Sequence, residues 1–304
     1  MGTPDFADIS LKRLLREEYE VRAVFTQPDK PVGRKQVLTP PKTKVTAKAC
    51  GIEVYQPRSL KTAEIEGTFK EFAPDLIVVV AYGKILPKEI LECPRLGCVN
   101  VHASLLPKYR GAAPIQWSII KGEEETGVTT MLMDEGMDTG DILLKESIKI
   151  EENETSGELF ERLADIGAEL LIKTIKGLET DSIIPLKQPE GASYAPMLDK
   201  SIAKIDFTKT SNEVHNLIRG LNPWPIAYTE VEKKKLKIYR SKISGETNGK
   251  PGEILNLSPF IVCCGKGTSI ELKEVQLEGK KKMGTDEFIN GFKLKKGMIF
   301  GGIN

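Results

Sequence analysis

The chain has 304 residues, 40% of them hydrophobic and 29% charged, which is long enough for two domains that each bury a core. No apolar run reaches the roughly 18 to 20 residues that a membrane helix needs and no signal-peptide pattern opens the chain, so the cytoplasm is the expected compartment. Five cysteines without a C-x-x-C pair and only two histidines, His102 and His215, argue against a zinc site and leave those two as the candidates for a histidine base. The net charge of +1 hides an asymmetry. Residues 1–203 hold 26 basic and 32 acidic side chains, whereas residues 204–304 hold 18 and 11, so the second part is expected to meet a polyanion.

Met1-Gly2-Thr3-Pro4-Asp5-Phe6 reads as a turn into a helix, with Ile9, Leu11, Leu14 and Leu15 near helical spacing. No G-x-G-x-x-G follows, and no nucleotide cofactor is assigned. A strand is predicted over 20–26, followed by a Pro- and Gly-rich loop over 27–42. Between Gln27 and Lys48 six basic residues (Lys30, Arg34, Lys35, Lys42, Lys44, Lys48) face a single acid, Asp29. Loops of this length are functional or disordered. A helix over 45–50, a strand over 53–56, an amphipathic helix over 60–72 and an apolar, β-branched strand over 76–81 follow. That alternation predicts an α/β fold with a doubly wound parallel sheet.

The densest chemistry lies in Val99-Asn100-Val101-His102-Ala103-Ser104-Leu105-Leu106-Pro107. In an extended segment Asn100 and His102 share one face, where a carboxamide and an imidazole can both donate to a developing oxyanion. The preceding apolar strand and the following Leu-Leu-Pro break place the pair near a strand end, where open α/β sheets bind ligands. A helix over 113–121 and a strand over 127–133 lead to Met133-Asp134-Glu135-Gly136-Met137-Asp138-Thr139-Gly140-Asp141. Gly136 and Gly140 are expected to let the backbone turn sharply around Asp138, and an aspartate arriving from such a loop can hold the imidazole protonated or take the proton it relays. Asp134, Glu135 and Asp141 read as solvated acids. Ser104 is no hydrolase nucleophile, because G-x-S-x-G is absent.

Thr155 or Ser156 is expected to cap a long helix reaching about Gly177. The stretch 183–202, with Pro185, Pro189 and Pro196, has linker composition, which divides the chain into a catalytic domain over 1–182, a linker over 183–205 and a C-terminal domain over 206–304. In the last of these a helix over 212–221 precedes short strands over 227–231, 235–241, 252–257, 260–264 and 269–277, the pattern of a small barrel. Lys280, Lys281, Lys282, Lys293, Lys295 and Lys296 are candidates for phosphate contacts, and His215 reads as structural.

The run from Asn100 to Gln116, with Met137-Asp138-Thr139-Gly140-Asp141-Ile142 and Asn222-Pro223-Trp224-Pro225, resembles the folate-dependent formyltransferases over nearly the whole chain. Its Arg110-Gly111-Ala112-Ala113-Pro114-Ile115 form points, within that family, to members that act on methionyl-tRNA. The resemblance implies a Rossmann-like sheet and an OB-like C-terminal β-barrel. In the family a short apolar strand precedes Gly2-Thr3-Pro4-Asp5-Phe6 in mid-sheet, so the sheet is expected to lack its first strand. The implied reaction moves a formyl group from 10-formyltetrahydrofolate, a co-substrate and not a permanent cofactor, to the α-amine of methionine on initiator tRNA. Asn100, His102 and Asp138 would carry it without a metal. Ser104, Leu105, Leu106 and Pro107, with the backbone at Tyr82, Gly83 and Leu86, are implied to line the folate slot. The basic loop, Arg34 foremost with Lys30, Lys35 and Lys42, is implied to meet the acceptor end of the tRNA. A monomer is expected. A formyltransferase for a small amine (glycinamide ribonucleotide or an amino sugar nucleotide) and a tRNA-binding protein with an idle catalytic half remain open alternatives.

Overall fold

The computed structural model describes residues 1–33 and 35–301. In chain order the elements are α1 (Asp5–Arg16), β1 (Ala23–Phe25), β2 (Lys30–Val32), β3 (Val37–Thr39), α2 (Lys42–Ala49), β4 (Glu53–Tyr55), α3 (Ala63–Phe72) and β5 (Ile77–Val79). Next come α4 (Lys88–Leu91), β6 (Cys98–His102), β7 (Arg110–Gly111), α5 (Pro114–Ile120), β8 (Glu125–Leu132), β9 (Ile142–Lys149), α6 (Ser156–Glu179) and β10 (Tyr194–Ala195). The remainder is α7 (Ser211–Gly220), β11 (Tyr228–Val231), β12 (Lys234–Glu246), β13 (Ile254–Leu257), β14 (Phe260–Cys263), β15 (Thr268–Leu277), β16 (Met283–Gly284) and α8 (Thr285–Gly291). The chain forms two compact units. One compact unit holds 1–111, 127–148 and 160–194, and the other holds 112–126, 149–159 and 195–304.

In the first unit β1 and β4 pair in parallel, as do β5 and β6, while β8 runs antiparallel to β6 with His102 opposite Thr129. The expectation of a wholly parallel sheet is therefore corrected at β8. β8 begins at the end where β6 stops and runs the other way. Where the sequence predicts a missing strand, Met1 and Gly2 join the two parallel pairs. The Gly2 N–H donates to the Phe25 carbonyl and the Val80 N–H to that of Met1, both at 2.9 Å. A Cβ on Gly2 would lie 2.4 Å from that of Ala7 and 2.7 Å from the Val80 carbonyl oxygen, so only glycine fits. Alongside lies a cavity of about 360 Å3 lined by Leu11, Val24, Phe25, Leu76 and Val78 among others. The core on one face centres on Phe25, whose ring stacks on Tyr55 at 4.8 Å and on Phe69 of α3 at 4.7 Å.

The basic loop has structure of its own. β2 and β3 form an exposed antiparallel hairpin; Arg34 lies outside the described residues. Its base is pinned by polar side chains: the Lys44 ammonium reaches both Asp29 oxygens at 2.8 Å and Gln56 Oε1 at 2.7 Å. Gln56 Nε2 in turn donates to the Gln27 carbonyl at 2.7 Å.

The second unit is a six-stranded antiparallel sheet in the order β11-β12-β15-β14-β13, with β16 beside β15. β12 bends through register shifts between Ile238 and Arg240, Arg240 and Ser241, and Ile243 and Gly245, which lets it serve a curved surface. Residues 297–301 bridge the two outer strands, since Phe300 N–H donates to Gly252 at 2.9 Å and Gly301 N–H to Glu230 of β11 at 3.1 Å. Inside, Leu236, Ile238, Val262, Ile270 and Leu272 pack against Ile218 and Leu221 at the end of α7. Thr210 and Glu213 close a capping box at the start of α7. His215 on that helix is structural. Its Nε2 lies 3.0 Å from the Glu152 carbonyl and its Nδ1 2.9 Å from the Ser241 hydroxyl, and burial lowers its pKa, so the ring is held neutral.

Glu158 shows how the second unit responds to acid. Burial alone would raise its pKa, but Arg240 at 2.5 Å and the N–H and hydroxyl of Thr155, both at 2.8 Å, hold it down to about 2 from the ordinary 4.5. A depressed carboxylate stabilises the fold above its unfolded value, and the contribution disappears as pH falls through the folded one. Arg240→Ala is expected to flatten the fall in stability between pH 4.5 and 2 in denaturant titrations. An unchanged pH slope would show that the pair does not contribute.

Candidate active site

The site grows from β6. Cys98, Val99 and Val101 are buried apolar residues, β5 pairs on one side and β8 on the other, and a strand so enclosed has no water to satisfy polar side chains. Asn100 and His102 are nevertheless only 9% and 6% exposed, so each needs partners within the fold. His102 Nε2 lies 2.9 Å from the Tyr109 carbonyl oxygen. A carbonyl only accepts, so Nε2 carries the proton and Nδ1 is left to face the site.

The segment after β6 folds back to make that contact. The Thr129 hydroxyl donates to the Ser104 carbonyl at 2.7 Å and accepts from the Leu106 N–H at 3.1 Å, while Ser104 Oγ donates to the Lys108 carbonyl at 2.6 Å. The ammonium of Lys145 holds the Leu106 carbonyl. Tyr109 then takes a left-handed φ of 61°, and its N–H is received by Ser193 Oγ at 2.9 Å.

Asp138 arrives from the turn between β8 and β9. The turn is closed by Leu132 N–H on the Asp141 carbonyl at 2.8 Å, and by Asp134, whose Oδ1 accepts from Gly136 N–H at 3.0 Å and from Thr139 Oγ1 at 2.6 Å. Asp134 is thus a turn residue and not merely a solvated acid. The two glycines are needed for closeness, not for a left-handed backbone: a Cβ at Gly140 would sit 1.7 Å from the Leu132 carbonyl oxygen, and one at Gly136 2.0 Å from Thr139 Oγ1. The left-handed residue is Asp138 itself, with φ 53°. Its carboxylate turns inward. Oδ2 accepts from Gly111 N–H at 2.8 Å and lies 3.7 Å from His102 Nδ1, and Oδ1 lies 3.4 Å from Asn100 Nδ2. A carboxamide, an imidazole and a carboxylate therefore converge within hydrogen-bond reach or slightly beyond it. Such a set can donate to a developing oxyanion and move a proton.

Other candidates are placed differently. The side chains of Tyr82, Leu86, Leu106 and Ser104 are packed inside, Tyr82 only 1% exposed and Leu106 in contact with the Met131 and Ile142 cluster. For Tyr82 and Leu86 this agrees with the expectation that their backbone, and not their side chains, is what they present. Leu105 and Pro107 are half-buried and Gly83 is exposed at φ 73°. Lys30 and Lys35 are exposed, whereas Lys42 is paired with Asp5 at 2.6 Å. Among the described residues no group of three or more His, Cys, Asp or Glu is placed to hold a metal, and no helix is long and apolar enough to cross a membrane.

The site also draws on the stretch read as a linker. Ser193 receives Tyr109, and Gln188 sits against the Asp138 turn, donating from Nε2 to the carbonyls of Asp138 and Gly140 at 2.8 Å each. The N–H of Gly111 is a third supporter. No periodicity or motif in the sequence marks Ser193 or Gln188, whereas Gly111 lies in the Arg110–Ile115 run that carries the resemblance.

A formyl transferase family model matches residues 1–175, and that of the formyl transferase C-terminal domain matches residues 197–293, which defines the class. The methionyl-tRNA formyltransferase of Acetivibrio thermocellus is 50% identical over 306 residues, spanning 99% of this chain and 98% of that protein. That of Clostridium botulinum is 51% identical over 305 residues, with the same shares covered. Among solved structures, a sugar 3N-formyl transferase in the presence of dTDP and 5-N-formyl-THF is similar at a TM-score of 0.70 and 26% identity, covering 92% of this chain and 97% of that one. The chain belongs to the methionyl-tRNA formyltransferase family.

The contact with Tyr109 fixes a tautomer that can be observed. In 15N NMR of the neutral ring, His102 is expected to show a pyrrole-type Nε2 and a pyridine-type Nδ1. The reverse assignment would break the proton placement given above.

Proposed function

We infer that this chain transfers a formyl group from 10-formyltetrahydrofolate to the α-amine of methionine esterified to initiator tRNA. The observation that carries the reading is the convergence of Asn100, His102 and Asp138 at the end of a buried strand, in a chain half identical over its length to methionyl-tRNA formyltransferases. The amine nitrogen attacks the formyl carbon, a C–N bond forms, and negative charge collects on the formyl oxygen. Asn100 Nδ2 and a protonated His102 Nδ1 are the donors that this oxygen meets. Asp138 favours the imidazolium and takes part in removing the amine proton. Collapse returns the electron pair, breaks the bond from carbon to N10 of the folate, and delivers the proton to N10. Oxidation states do not change, so the reaction calls for no redox cofactor.

The folate is read as lying along the half-buried Leu105 and Pro107 and the backbone at Gly83, with Ser104, Leu106, Tyr82 and Leu86 shaping the slot from behind. The first unit is read as Rossmann-like and the second as OB-like, the latter supported by the closure that residues 297–301 make between β13 and β11. The tRNA is read as meeting the basic loop through Lys30, Arg34, Lys35 and Lys42, and the basic stretch 204–304 through its unpaired lysines. Translation initiation places this activity in the cytoplasm, in keeping with five free cysteines.

Formyl transfer to charged initiator tRNA, assayed beside glycinamide ribonucleotide and an amino sugar nucleotide, tests the reading; preference for either small amine would overturn it. His102→Ala is expected to lower kcat about 10²- to 10³-fold, the usual loss on removing an oxyanion donor, and Asp138→Asn about 10²- to 10⁴-fold through loss of acid–base help, each with tRNA Kd within twofold. Weaker tRNA binding at unchanged kcat would make them binding residues instead. The Kd for tRNA is expected to rise about tenfold or more between about 50 and 200 mM salt, as phosphate contacts release counterions. Salt-independent binding would remove the basic segments from the interface.

A further inference from the structure

Gln188 uses every polar valence of its amide. Nε2 donates to two main-chain carbonyls of the turn, those of Asp138 and Gly140, at 2.8 Å each. Oε1 accepts from Arg110 Nε at 3.1 Å and from Arg110 Nη2 at 2.6 Å. A guanidinium can only donate and carbonyls can only accept, so the amide has one consistent orientation and Arg110 fixes it. Two carbonyls that converge on one point repel each other unless a group with two N–H bonds sits between them. A carboxamide supplies that without adding charge.

The consequence lies on the other side of the turn. Asp138 is a non-glycine residue at φ 53°, a conformation that persists only where its surroundings over-determine it. With its carbonyl and that of Gly140 held by Gln188, Asp138 has its carboxylate against the Gly111 N–H and facing His102 Nδ1. Arg110 and Gly111 are consecutive. One short strand, β7, thus grips Asp138 twice: directly at the carboxylate through the Gly111 N–H, and at the main chain through the Arg110 side chain and Gln188.

From this arrangement we propose that Gln188 is a positioning residue for formyl transfer, holding Asp138 at His102 with Arg110 as its anchor. The proposal rests on the reading of Asp138 given above and adds a residue from the segment 183–205 to the machinery. Loss of its two N–H donors releases the turn, and Asp138 moves away from the imidazole. Displacements of about 1 Å from a reacting centre lower turnover by up to about 100-fold.

The test is a double-mutant cycle on the full chain with charged initiator tRNA and 10-formyltetrahydrofolate. Gln188→Leu is expected to lower kcat about 10- to 100-fold with KM for both substrates within twofold. Gln188→Glu keeps the size and the pairing with Arg110 but loses both donors; it is expected to give the same kcat loss and to fold where Gln188→Leu does not. In the Asp138→Asn background either change should cost less than twofold more, because the group being positioned is already gone. An equal fold-loss in both backgrounds would show a general structural role and overturn the proposal, as would wild-type kcat in Gln188→Glu. If Asp138→Asn alone retained wild-type kcat, the reading of the site itself would fail, a result distinct from the other two.

Discussion

The carboxylate of Asp138, received by the Gly111 N–H and turned toward the His102 ring, is the contact on which the rest of the first unit converges. It exists because a non-glycine residue is held in a left-handed backbone, a conformation costing about 1–3 kcal/mol in isolation. The surroundings offset that cost in several small ways. Gly140 lets the two arms of the turn touch, Asp134 ties the turn to Thr139, and Leu132 closes it on Asp141. A strain so distributed is robust to the loss of any one tie in stability but not in geometry.

The two histidines show why a carboxylate matters at this position. Both are buried and both lie with Nε2 about 3 Å from a main-chain carbonyl, Tyr109 for His102 and Glu152 for His215. They differ at Nδ1. His215 meets the Ser241 hydroxyl, which donates to a neutral ring and leaves it fully satisfied, and burial lowers its pKa further. His102 instead faces an oxygen of Asp138 that can only accept, so that side of the ring is satisfied only when Nδ1 carries a proton. One ring finds both of its partners in neutral groups; the other has a carboxylate on one side.

How much of this was legible in the sequence follows from the range of each interaction. Alternation along a strand is local, so Asn100 and His102 could be placed on one face from two-residue spacing alone, and α3, α5, α6, α7, β8 and β15 fall close to their predicted spans, whereas β2, β3, β9 and α8 were not read from the sequence. Chain direction is not local. The return of β8 antiparallel to β6 is set by pairing between residues some thirty apart, which the pattern within either strand does not encode. The prolines at 185, 189 and 196 correctly signal an irregular backbone, yet irregular backbone is what can follow a turn and satisfy it, as Gln188 and Ser193 do. Ser104 and Leu106 illustrate the converse: a motif marks that a stretch matters but not whether its side chains face a ligand or the core.

Charge is legible in composition only in part, for a related reason. Composition counts every lysine, whereas the fold commits some of them. Lys44 is mostly buried and makes three hydrogen bonds at the base of the hairpin, so moving it to a phosphate would break the pinning of residues 27–56. Lys42 is paired with Asp5, but both side chains are more than half exposed, and an exposed pair is worth about 1 kcal/mol or less, so a phosphate can replace its partner at little cost. Lys281 and Lys282 are paired with Glu287 and Glu274 in the same exposed way. Among the described residues Lys30, Lys35, Lys280, Lys293, Lys295 and Lys296 make no ion pair. The charge available to a polyanion is therefore the unpaired lysines plus those in exposed pairs. Lys44 stands outside that sum because its work is to give the hairpin a fixed root from which its other cations project.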